Sequence, residues 1–133
     1  MSENVAASRF PLSSSCEEAV AAYRDAGKSI QSPAIRKGLE SVIVQKRDHV
    51  ELLRVFDPQF SGETPHIAIP SGSGPEAVLK SLVDHESAFA EALDALSAGV
   101  AGEEPRQKVK SMADASRKFA SWARDHLDLL ALF

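Results

Sequence analysis

Apolar residues recur in steps of three and four along four stretches of this chain, with glycine and proline gathered between them. One stripe runs Ile35, Leu39, Val42, Lys46, His49, Leu53, Phe56. A second runs Leu79, Leu82, Glu86, Phe89, Leu93, Leu96, Val100. A third runs Val109, Met112, Ser116, Phe119, Ala123, His126, Leu130, Phe133. A shorter stripe holds Cys16, Ala19 or Val20, Tyr23, Ala26 or Gly27, and Ile30. Such spacing keeps residues on one helical face, so each stripe should point into a shared core. Apolar and polar residues alternate in no stretch except the brief His66–Ile69, so a sheet is not expected.

Punctuation sets the boundaries. Ser15 with Glu18 reads as a capping box opening a helix over about 16–30. Ser32-Pro33 opens the next, over 33–56, and Asp57-Pro58 stops it. Pro75 and Glu76 open a helix over 75–100, Gly102 breaks it, and Pro105 opens the last, over 105–131. Short links make antiparallel neighbours, so the first two helices form one hairpin and the last two another. The link over 57–74 is long. A helix of ~24 residues measures ~36 Å, and extended chain covers ~3.3 Å per residue, so this link can run the length of the bundle. The expected architecture is therefore an all-α four-helix bundle of two antiparallel hairpins joined by a long crossover. An up-down-up-down bundle with a loose loop is the alternative.

Composition narrows the class. The 133 residues suit a single domain spanning 1–133 and are too few for two of ordinary size. A net charge of -4 gives no electrostatic basis for binding nucleic acid or an anionic membrane. One cysteine, Cys16, excludes a disulfide framework and a multi-thiolate zinc site. The N-terminal residues lack a basic patch followed by an apolar run, so a cytoplasmic protein is expected.

Two segments repeat. Arg47-Asp48-His49-Val50-Glu51-Leu52-Leu53 and Arg124-Asp125-His126-Leu127-Asp128-Leu129-Leu130 share five of seven residues, and both lie on the second helix of a hairpin. Two duplicated hairpins about a pseudo-twofold axis are the simplest explanation; chance likeness between amphipathic helices is the other. Lys46, His49, Glu86 and His126 interrupt the apolar stripes. Burying such groups costs several kcal/mol unless they are paired, so they should satisfy one another in a polar core.

The duplicated hairpins with histidines on their second helices resemble the ferritin-like superfamily, rubrerythrin-type members above all. That resemblance covers about residues 14–133. It implies a two-metal site taking a Glu from the first helix of each hairpin and a Glu-x-x-His pair from each second helix. His49 and His126 match the two histidines, Glu86 the lone Glu of the second hairpin, and Glu17 or Glu18 that of the first. The Glu-x-x-His glutamates are replaced by Lys46 and Ala123, so the di-iron site and its oxidase chemistry are not expected.

Three readings of the cluster follow. It is a metal-free polar core in which Lys46 replaces a cation and pairs with Glu86 or Glu17. Or it holds one iron, zinc or manganese on His49, Glu86 and His126, with Glu17 nearby and an oxidoreductase role attached. Or some of these side chains face solvent. No cofactor is expected under the first reading, which makes the chain a non-catalytic binding or scaffold module that self-associates through a helix face. A histidine phosphotransfer bundle ranks third, because neither His49 nor His126 is followed by the lysine and glycine such a site carries.

Other features carry less. His85 is expected to face solvent. Tyr23 should fill the core and find one partner for its hydroxyl. Cys16 reads as a buried inert thiol and Trp122 as a core edge or a subunit contact. Gly72-Ser73-Gly74 lacks the Lys-Ser/Thr of a phosphate loop and reads as a flexible connector.

Overall fold

The computed structural model describes residues 11–56 and 67–132. Four helices account for most of them: α1 (Leu12–Gly27), α2 (Pro33–Phe56), α3 (Pro75–Gly99) and α4 (Glu103–Leu130). No strand occurs among the described residues, and 67–70 is irregular. His66 and the Asp57-Pro58 stop lie outside the described residues.

Three boundaries differ from the sequence expectation. Helix α1 starts earlier, at Leu12, with Pro11 as its N-cap at φ -58 and ψ 138. The Pro11 carbonyl accepts from the amides of Ser14 and Ser15 at 3.0 and 3.2 Å. Ser15 is thus a buried residue inside the helix, not its cap. The driving force is apolar: Leu12 and Cys16, one turn apart, are both fully buried and extend the stripe by a turn. Helix α1 also stops early, at Gly27, where the carbonyls of Asp25, Ala26 and Gly27 are taken by the amides of Lys28, Ser29 and Ile30. Helix α4 begins at Glu103, because Gly102 at φ +98 turns the chain before Pro105 is reached. Glu103 and Glu104 then sit in its first turn, where the helix dipole favours negative charge.

The bundle core is split into two apolar clusters, and their membership fixes the topology. One joins Leu12 and Cys16 of α1, Val50, Leu53 and Phe56 of α2, Phe89 to Val100 of α3 and its end, and Val109 to Ala113 of α4. The other joins Ala19 and Tyr23 of α1, Ile35 to Val42 of α2, Val78 to Leu82 of α3, and Phe119 and Ala123 of α4. Both helices of each hairpin are therefore antiparallel, while α2 and α3 run parallel. The chain leaves α2 at one end and enters α3 at the other, so the link crosses the bundle lengthwise. Its described part follows α3: Ile67 is buried in the first cluster, and the Ser71 amide donates to Ser81 Oγ at 2.7 Å. The structure is an all-α four-helix bundle. No helix of the described residues is long and apolar enough to cross a membrane.

Helix α2 meets α4 closely at one point. A Cβ on Gly38 would overlap the indole ring of Trp122. Within the second hairpin, Arg117 of α4 forms an ion pair with Asp94 of α3.

Candidate functional site

Between the two apolar clusters lies a polar waist. Each helix supplies a polar residue where its stripe passes from one cluster to the other: Ser15 and Glu18 near Cys16, Lys46 between Val42 and Val50, Glu86 and His85 between Leu82 and Phe89, and Ser116 between Ala113 and Phe119.

Its centre is an ion pair. Lys46 and Glu86 are both 0% exposed, and Lys46 Nζ donates to Glu86 Oε1 at 3.0 Å. The other carboxylate oxygen, Oε2, accepts from the Tyr23 hydroxyl at 2.8 Å. The Lys46 ammonium also lies 4.0 Å from the centre of the Phe89 ring, a cation–π position. Three helices thus meet on one carboxylate. Burial of such charges is tolerable only with this kind of pairing and hydrogen bonding. Burial pushes the Tyr23 phenol well above its ordinary value, and the Glu86 charge and hydrogen bond push the same way.

Two further groups border the pair. Cys16 Sγ donates to the Lys46 carbonyl at 3.2 Å. Burial raises its thiol to about 11, which makes it inert at neutral pH. His85 corrects the sequence expectation: it is buried at 4% exposure, not solvated. Its Nδ1 lies 2.9 Å from the Ala68 carbonyl. A carbonyl only accepts, so Nδ1 carries the proton and ties the crossover to α3. The ring stacks on Phe89 at 5.8 Å and meets Tyr23 edge-on at 6.2 Å. Its Nε2 stands 3.9 Å from Glu86 Oε2 without a hydrogen bond. Burial lowers the imidazole pKa, with Glu86 opposing and Lys46 assisting.

The four residues expected as metal ligands do not converge. Glu17 is exposed and pairs with Arg54 at 2.9 Å. Glu86 is present, but both its oxygens are engaged. His49 is half-buried on α2 beside the waist, its Nδ1 buried without a partner. Burial, and next the Lys46 charge, bring its pKa down to about 4. His126 is half-buried near the far end of α4, packed on Trp122 with ring centres 5.0 Å apart. Trp122 lies against Gly38, so His126, one turn further along the antiparallel α4, stands near the start of α2. Counting residues along α2 puts the two imidazoles ~20 Å apart on the bundle axis. No group of three or more His, Cys, Asp or Glu able to hold a metal occurs among the described residues. The expected polar core of Lys46, His49, Glu86 and His126 reduces to Lys46 and Glu86, with His49 at its edge and His126 outside it.

Sequence reasoning named Lys46 and Glu86 but placed His85 outside. The signal was there: His85 adjoins Glu86, and the α3 stripe widens to include Val78, Ala92 and Ser97, all buried. A helix covered on more than one side admits two adjacent polar residues to its buried face.

No family model matches the chain, and neither a curated protein nor a solved structure matches it.

Proposed function

We propose that this chain is a ferritin-like bundle in which an internal ion pair stands where relatives of that architecture hold metal, and that it acts as a non-catalytic cytoplasmic binding or scaffold module. The observation that carries the reading is the fully buried Lys46 ammonium 3.0 Å from Glu86. It supplies the positive charge that would otherwise have to come from a cation. Two parallel central helices joined by a lengthwise crossover support the kinship; the Arg-Asp-His repeat on α2 and α4 does not, because its two histidines stand at different heights in the bundle. The scattered positions of Glu17, His49 and His126 count against a metal.

Elemental analysis of protein purified without chelator tests this. The reading expects no stoichiometric iron, zinc or manganese and an unchanged result in a His49→Ala, His126→Ala double variant. One equivalent of metal that disappears in that variant would overturn it. A scaffold role further expects self-association, for which exposed Val44 and Val55 on α2 and Leu129 on α4 supply apolar surface. Light scattering that finds only monomer at high concentration would remove self-association from the account.

A further inference from the structure

The net charge of -4 conceals a local excess of the opposite sign. Along the outer seam between α1 and α2 lie two adjoining grooves, of about 340 and 200 Å³, which share Arg24. Of the 15 basic residues in the chain, five line this seam: Arg24, Lys28, Arg36, Arg47 and Arg54. Of the 19 acidic ones, only Glu17, Glu40 and Glu51 do.

The arrangement of those charges matters more than their number. Arg54 takes both acidic residues of the larger groove, Glu17 at 2.9 Å and Glu51 at 2.8 Å. Glu51, one turn from Arg47, pairs with Arg54 and not with Arg47. Arg24 and Arg47 line the same groove from opposite helices, and neither has an ion pair or side-chain hydrogen bond among the described residues. The floor between them is apolar, formed by Val20 and Val50, both buried. Two arginines beside an apolar floor, with the groove's two carboxylates paired to a third arginine, are the kind of donors that take up a tetrahedral oxyanion. The volume suits a small molecule and not a duplex or a surface.

We propose that the α1–α2 seam is a binding site for a small phosphate-bearing ligand, held between Arg24 and Arg47. This inference does not rest on the Lys46–Glu86 reading, since the groove lies on the outer face of the hairpin and the ion pair inside it. It does supply a ligand class for a binding module. The whole-chain charge still repels extended polyanions, so the site selects compact anions.

The test titrates full-length protein with pyrophosphate and follows backbone amide shifts by NMR at moderate salt. The expected result is saturable binding with shifts concentrated on Ala21, Arg24, Arg47 and Glu51. An Arg24→Gln, Arg47→Gln variant should bind at least tenfold more weakly, as loss of charge-assisted hydrogen bonds requires. A Lys37→Gln, Lys110→Gln variant removes the same charge away from the groove and should bind like the parent. All three proteins are checked for equal helicity by circular dichroism. Non-saturable shifts, or equal weakening in both variants, would overturn the proposal in favour of diffuse ion screening. A phosphoserine peptide that saturates the same amides more tightly than pyrophosphate would place the phosphate on a protein partner. A phosphorylated small molecule that outcompetes the peptide would place it on a metabolite.

Discussion

Replacing Lys46 with methionine removes the ammonium but leaves Glu86 where it is, a carboxylate with 0% exposure held by the Tyr23 hydroxyl alone. At the observed 3.0 Å, an effective dielectric of about 20 makes the lost attraction roughly 5 kcal/mol. Breaking a buried pair from one side typically costs about 3–5 kcal/mol, because one charge stays behind uncompensated. A domain of this size has about 5–15 kcal/mol to lose, so Lys46→Met should be severely destabilised yet measurable at low temperature. Glu86→Gln should cost somewhat less, about 2–4 kcal/mol, since the amide oxygen still accepts one bond from the ammonium. The double variant Lys46→Met, Glu86→Gln removes both charges and keeps an acceptor for Tyr23. It should lie within about 2 kcal/mol of the parent, well short of the two single costs together. Urea denaturation followed by circular dichroism at 222 nm measures all four proteins. Single variants each costing under about 1 kcal/mol, or a double variant whose cost equals the sum of the singles, would refute the reasoning.

Three other outcomes follow from the same structure. Gly38→Ala should destabilise by about 1–3 kcal/mol in a thermal melt despite the better helix propensity of alanine, because the new methyl overlaps the Trp122 ring; a neutral or stabilising change would mean that α2 and α4 do not pack there. His49, held at about 4 when folded against an ordinary 6.5, binds fewer protons in the folded state than in the unfolded one. Stability is therefore fully present above pH 6.5 and falls as pH drops toward 4, and His49→Gln should flatten that part of the profile relative to the parent; superimposable profiles would contradict the burial argument. Cys16, fully buried with its thiol raised to about 11, should react with a disulfide reagent at neutral pH only as fast as the protein opens, so that urea accelerates labelling; immediate stoichiometric reaction of native protein would contradict it.

Helix starts were legible at Pro33 and Pro75 but not at Pro105, which falls inside the first turn of a helix that begins at Glu103. Pro33 and Pro75 mark the first residues of α2 and α3 as observed, because a fixed φ and a missing amide suit the first helical position. The start of α1 was not legible. Ser15 and Glu18 have the spacing of a capping box, but Leu12 and Cys16 offer more burial one turn earlier, and packing outweighs capping. The bundle's ion pair was readable in part: a lysine and a glutamate on two apolar stripes must find each other or pay the cost of desolvation. Its third member depends on which helix α1 faces. Tyr23 reaches Glu86 only because the lengthwise crossover sets α1 antiparallel to α3. The histidines were misplaced for a related reason. A stripe with three- and four-residue steps drifts around a straight helix over many turns, so His126, far along the 28-residue α4, is carried to the edge beside Trp122. Local repetition of Arg-Asp-His says nothing about height in the bundle, which is set by where each helix begins.

The most direct measurement is a proton–nitrogen correlation spectrum of the lysine ammonium groups at neutral pH. A buried ammonium bonded to Glu86 and facing the Phe89 ring should exchange slowly with water. It should give one protected resonance, shifted upfield by the ring, that vanishes in Lys46→Met and moves in Phe89→Leu. A spectrum with no protected ammonium, or one whose protected signal survives Lys46→Met, would contradict the claim that this side chain is the cation at the centre of the bundle.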